Sequence, residues 1–244
     1  MNKRHKSGNS GTAQKISQTL ANLADPTQAE QAQRFFKTAP GDYGAGDCFY
    51  GIRVPELRKL AKAFSELSLR ETEKLLKSPY HEARLVALII LVNQFQHGDE
   101  KQRQVIFDSY LGNRCYINNW DLVDVSADKI VGPMLISRER DLLYTLARSE
   151  SVWDRRIAIM ATFHFIKHGE FDETLKLAAL LLDDDHDLIH KAVGWMLREI
   201  GKRDQKREEC FLLEHYRLMP RTMLRYAIEK FEESRRQRYL RGEI

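Results

Sequence analysis

The sequence predicts an all-α fold, and within that class a HEAT-like α-solenoid, stacked antiparallel helix pairs with a concave basic face. Three observations predict it. Apolar residues recur at three- and four-residue spacing almost throughout, as in Leu188, Ala192, Val193, Met196, Leu197 and Ile200. No stretch alternates apolar and polar residues between Asn-Gly-type turns, so no hairpin is expected. A short pattern also repeats, in ARLVAL (Ala83 to Leu88), RRIAIM (Arg155 to Met160), HKAVGW (His190 to Trp195) and LRYAIE (Leu224 to Glu229). Its equivalent basic residues are Arg84, Arg156, Lys191 and Arg225. The first two are 72 residues apart, two steps of 36 with Trp120 midway, and the next steps are 35 and 34. A period of roughly 35 to 40 residues with two helices per unit marks a stacked helical repeat.

Taken in order, residues 1–14 read as a disordered, solvated N-terminal tail, 15–233 as a single repeat domain, and 234–244 (SRRQRYLRGEI) as a basic C-terminal tail. Pro40 to Gly51 (PGDYGAGDCFYG) holds Gly41, Gly44, Gly46 and Gly51 and reads as a loop. Ser68-Leu-Arg-Glu71 and Ser151-Val-Trp-Asp154 fit capping boxes that start helices. Gly98, Gly132-Pro133, Gly169 and Gly201 suit helix stops. The longest apolar run, Leu85 to Val92, is eight residues. A membrane span needs roughly 20.

Composition excludes several classes. With 13 glycines and 6 prolines in 244 residues, the chain is neither collagen-like nor loop-dominated. The basic, polar N-terminus has no apolar stretch behind it, so no secretory signal is expected. Cys48, Cys115 and Cys210 lie far apart, as suits a reduced, cytoplasmic protein without a disulfide framework or cysteine zinc site. A formal charge of +4 permits a polyanionic partner without demanding one.

Three constellations carry chemistry. At 100° per residue, Lys191, Trp195, Arg198 and Lys202 fall within about 60° of one another on a helix. That pattern reads either as a Trp at the core edge among solvated cations, or as an aromatic platform in a phosphate-binding strip. In Asn118-Asn119-Trp120-Asp121-Leu122-Val123-Asp124, Trp120 and Asp124 are one turn apart. Its acids are either first-turn carboxylates facing the helix dipole or part of a site. In Trp153-Asp154-Arg155-Arg156, two arginines open an apolar helix at the positive end of its dipole. They need either Asp154 or a neighbouring repeat as partner, or an anion from outside. His164 and His168 lack the Glu of a zinc helix, so no metal is expected there. Asp183 to Asp187 reads as a solvated interhelical turn.

NNWDLVD, VWDRRIAI and HKAVGWMLRE, in that order, resemble the DNA alkylation repair enzymes, the AlkD-like alkylpurine DNA glycosylases. FYGIRVPELRKLAK (Phe49 to Lys62) is similar to the family's N-terminal GxxxPxxR segment, and the likeness runs over about residues 30 to 232. The resemblance implies a HEAT-like glycosylase that releases positively charged N3- and N7-alkylpurines from duplex DNA without a base pocket. It implies no metal, no organic cofactor and no membrane, and we expect a monomer. By motif, Trp120 and Trp195 resemble the aromatics that contact the lesion's deoxyribose, Asp124 the catalytic carboxylate, and Arg156 the arginine that grips the backbone. Arg198 resembles a further backbone contact, with Lys191, Lys202 and Arg155 beside these motifs. A tyrosine that lines the family site is Phe35 here, in QRFFK, without its hydroxyl. The residues also admit a non-catalytic HEAT-repeat nucleic-acid binder, or a solenoid that binds an acidic peptide.

Overall fold

The computed structural model describes residues 12–244. It is all-α, with no strand among the described residues and one isolated bridge, between Cys48 and Tyr80. The chain divides into two compact units, Met1–Leu122 and Val123–Ile244. The first holds α1 (Ala13–Asn22), α2 (Pro26–Phe35), α3 (Val54–Ala63), α4 (Leu69–Leu76), α5 (His81–His97), α6 (Glu100–Gly112) and the opening of α7 (Trp120–Leu135). The second holds the rest of α7, then α8 (Asp141–Ala147), α9 (Val152–Ala161), α10 (Phe163–Lys167), α11 (Asp172–Leu180), α12 (Asp187–Gly201), α13 (Gln205–His215), α14 (Arg221–Ala227) and α15 (Glu233–Arg241). Helices pack on near neighbours in the chain, α4 on α5, α8 on α9, α12 on α13 and α14, as in an α-solenoid.

In the first unit α5 is the central helix. The run Leu85 to Val92 is buried on every side, and α3 and α4 pack against it. Ser68 caps α4 by accepting from the Glu71 N–H at 3.4 Å, and Gly98 ends α5. The glycine-rich segment is a loop, pinned to α5 where the Glu82 carboxylate accepts from the Tyr50, Gly51 and Ile52 N–H groups at 2.9, 2.7 and 3.3 Å. Gly51, at φ +81°, lies against the Asp25 carbonyl, where any Cβ would collide.

In the second unit α12 is the hub, with α9, α13 and α14 around it. Gly194 lets α14 approach closely, since a Cβ there would meet the Met223 carbonyl and sit 2.6 Å from the Tyr226 Cβ. Ser151 caps α9 at the Asp154 N–H, and Gly169 follows α10 at φ +78°.

Three expectations change. Gly132-Pro133 does not stop α7, which runs on to Leu135. Gly132 instead lets α7 touch α10, where a Cβ would strike His164 and the Ala161 carbonyl. The expected C-terminal tail is α15, whose Tyr239 is 1% exposed and packs edge-on to Tyr216 and Phe231. Four arginines made the segment look solvated, and one tyrosine anchors it. Residues 1–11 of the expected N-terminal tail lie outside the described residues, whereas Thr12 caps α1 and Ala13 is buried.

Candidate functional site

In the first unit, Trp120 opens α7 with its N–H donated to the side-chain oxygen of buried Asn119 at 2.8 Å. Its indole stacks on Phe36 at 5.5 Å and meets Phe35 edge-on at 5.9 Å. Phe35, at the last turn of α2, is 64% exposed. The structure thus brings together two residues that the motifs nominated separately. Phe36 continues the aromatic cluster to Phe49 at 5.3 Å and His81 at 4.7 Å.

Behind these rings lies a buried chain of charges. His81 Nε2 meets Asp121 at 2.8 Å, its Nδ1 meets Asp47 at 3.4 Å, and Arg84 reaches Asp47 at 2.7 Å. Burial disfavours the imidazolium, but the charge and hydrogen bond of Asp121, joined by the bond to Asp47, outweigh it and lift His81 to about 9. His81 is therefore a cation at neutral pH. Burial likewise pushes the Asp47 carboxyl up, but the His81 hydrogen bond and the Arg84 charge prevail and hold it below its ordinary range. Asn118 donates to the same carboxylate at 3.2 Å. Asp121 is thus an ion-pair partner as well as a first-turn carboxylate.

In the second unit, Asp124 is gripped by the Arg156 guanidinium fork at 2.9 and 2.8 Å. A third guanidinium N–H donates to the Leu188 carbonyl at 2.5 Å, tying α7, α9 and the first turn of α12 together. The Arg156 side chain is 5% exposed and that of Asp124 is 16%. Arg155 pairs with Asp184 at 2.6 Å, whose side chain is 4% exposed. Of the partners left open for the arginines that begin α9, the structure supplies carboxylates from neighbouring helices and turns. One expectation is corrected here: the Asp183 to Asp187 turn contributes a buried carboxylate rather than being wholly solvated.

Trp195 is half-buried on α12 and donates its indole N–H to Glu199 at 3.2 Å. Lys202 and Arg203 also reach Glu199, at 2.5 and 3.1 Å, and hold its carboxyl below the usual range against the effect of burial. Phe163 lies 6.1 Å from Trp195, with Lys167 4.0 Å and Arg203 6.0 Å from its ring. Lys167 and Lys129 share Asp128. Around the Phe163–Trp195 pair, four cations that are 35–41% exposed face the two carboxylates Asp128 and Glu199. The balance is locally positive. Arg198 pairs with Glu229 and Lys191 with Asp187, so these two of the nominated cations are charge-compensated.

Residues 16–231 match the family model described as DNA alkylation repair enzyme. The chain belongs to that family. Among solved structures it is similar to a predicted DNA alkylation repair enzyme from Enterococcus faecalis, at 19% identity and TM-score 0.68, covering 86% of this chain and 97% of that one. It is also similar to smu.31 from Streptococcus mutans UA159, at 16% identity and TM-score 0.52, covering 91% and 100%. At these identities the likeness is one of fold. No curated protein sequence matches the chain.

In this member of the family, the residues nominated from sequence are described unit by unit. Phe35 and Trp120 meet in the first unit. Asp124 and Arg156 meet in the second, as do Trp195 and Lys202 through Glu199. Lys129, Lys167, Phe163 and Arg203 join the Trp195 neighbourhood without having been nominated. Phe163 and Lys167 are one turn apart, so helical spacing marks them as a pair. Asp47 and His81 have no such signal, because 34 residues separate them. No helix among the described residues is long and apolar enough to cross a membrane. No group of three or more His, Cys, Asp or Glu among them could hold a metal ion.

Proposed function

We propose that this protein is a DNA glycosylase that hydrolyses the N-glycosidic bond of positively charged N3- and N7-alkylpurines in duplex DNA. The observation that carries the reading is Asp124, a carboxylate fixed by a two-bond guanidinium fork in a chain of the DNA alkylation repair family. Alkylation makes the purine cationic and so a good leaving group. When the C1′–N bond breaks, its electron pair neutralises the base and positive character passes to the sugar. A carboxylate beside C1′ stabilises that charge and orients the water whose oxygen bonds to C1′, and the water's proton leaves to solvent. No acid is needed to protonate the departing base. By motif, Trp120 and Trp195 contact the lesion's deoxyribose, and each indole face adds about 0.5–2 kcal/mol of cation–π attraction.

In this reading Arg156 is a positioning residue. Its fork keeps the Asp124 oxygens in one orientation, which suits electrostatic stabilisation better than a freely turning side chain. Phosphate contact falls instead to the half-exposed cations around Phe163 and Trp195, which supports binding to the duplex backbone. The test is incubation of purified protein with methylated duplex DNA and measurement of free 3-methyladenine and 7-methylguanine. Asp124→Asn, assayed where it is folded, should cut release at least about tenfold, or ~1.4 kcal/mol of barrier, with DNA binding nearly intact. Equal rates refute the assigned role. One observation favours a second reading, a non-catalytic nucleic-acid binder, since Arg156 offsets the Asp124 charge. Salt-sensitive duplex binding with no base release from wild type would establish that alternative.

A further inference from the structure

The first unit contains a cavity of about 250 Å³ beneath α2 that the excision chemistry leaves unused. Gln28, Gln31, Ala32 and Phe35 line it from α2, at the i, i+3, i+4, i+7 spacing of one helix face. A ten-residue helix ordinarily buries that face, yet α2 has no fully buried residue. Its inward stripe looks into space instead of core. Opposite it stand Phe36, Phe49 and His81, with the Asp121 carboxylate and Arg53 also at the lining. These walls are held open from behind. Glu82 fastens the loop before α3 by three backbone bonds, and Asp47 and Asp121 clamp His81 from both sides.

The shape and chemistry select a ligand class. Drug-sized pockets begin near roughly 300 Å³, so this one suits a single small ring system rather than a nucleotide. Aromatic faces stack on any base, and two amides, a carboxylate and a guanidinium match the mixed donors and acceptors of a purine edge. We propose that this cavity is a binding site for one free purine base, the product of excision. The choice of purine over another flat heterocycle rests on the glycosylase reading. The site departs from the expectation of a family member without a base pocket, but it need not receive the base while the base is still attached to DNA.

The experiment is calorimetric titration of the full chain, without DNA, with free 3-methyladenine and 7-methylguanine, and with indole as an apolar control of similar size. Saturable one-to-one binding of the purines is expected, at least about tenfold tighter than indole, because indole offers one N–H donor where a purine edge offers several donors and acceptors to the amides and the carboxylate. Phe35→Ala, at a position 64% exposed, should weaken binding at least about fivefold by loss of stacking, with circular dichroism confirming a folded chain. Ala32→Trp fills the cavity from a half-buried helix position and should abolish binding, with circular dichroism confirming a folded chain. No saturation at millimolar purine, equal affinity for indole, or wild-type binding by folded Ala32→Trp would overturn the proposal. Because free base is measured without DNA, excision without base binding sinks this site alone, and base binding without excision sinks only the glycosylase reading.

Discussion

The Asp124–Arg156 pair is a perturbation whose size follows from its surroundings. The guanidinium is 95% shielded and makes three hydrogen bonds, two to Asp124 at 2.9 and 2.8 Å and one to the Leu188 carbonyl at 2.5 Å. Asp124→Asn keeps the shape, removes the charge and sets an amide donor against guanidinium donors. Breaking a fully buried pair by removing one partner costs about 3–5 kcal/mol. Because the Asp124 side is 16% open to water, we expect about 2–3 kcal/mol for Asp124→Asn. Arg156→Met strands the carboxylate at the wetter end and should cost less, about 1–2 kcal/mol. The double variant leaves no unpaired charge, so its loss should fall short of the sum by at least about 1.5 kcal/mol. At about 2–4 °C per kcal/mol for a chain of this length, Asp124→Asn lowers Tm by roughly 4–12 °C. Thermal unfolding of the four proteins closes the cycle. Losses that add to within about 0.5 kcal/mol would refute the pair as a structural element. The same result sets the temperature at which excision by Asp124→Asn is a fair measure of catalysis.

The His81 cation makes stability pH-dependent. Its folded value near 9 exceeds the ordinary 6.5, so the stabilisation is complete below about pH 6.5 and is lost as pH rises through 9. At 1.36 kcal/mol per unit the gap is worth about 3 kcal/mol, and Tm measured from pH 6 to 10 should fall in wild type but not in His81→Gln. A parallel fall in both proteins would remove His81 as the cause. Gly194→Ala should destabilise by about 1–3 kcal/mol, because its Cβ meets α14 backbone that cannot swing aside; an unchanged urea midpoint would contradict the close approach. Lys167→Ala and Arg203→Ala should each lower the slope of log affinity against log salt for duplex DNA by about 0.9, and unchanged slopes would place the phosphates elsewhere.

Helix class, the caps at Ser68 and Ser151, and the stops at Gly98 and Gly169 were legible because each depends on residues within a few turns of one another. The motif around Trp120 and Asp124 was legible for the same reason. The partner of its other carboxylate, Asp121, left no trace in the motif, since His81 stands 40 residues earlier. Phe36 was hidden behind its neighbour Phe35, although it is Phe36 that stacks between Trp120 and Phe49.

What the amino-acid order determined alone was the helical period, the repeat spacing and the family motifs, all of which are local or nearly so. Tertiary structure alone decided how the charges are spent. It gave Arg155 and Arg156 to Asp184 and Asp124, turned four C-terminal arginines into a helix anchored by Tyr239, and left an open space under α2. The physical reason is that an ion pair or a cavity belongs to atoms from distant segments. Its energy depends on burial and angle, and neither is defined until the helices have packed.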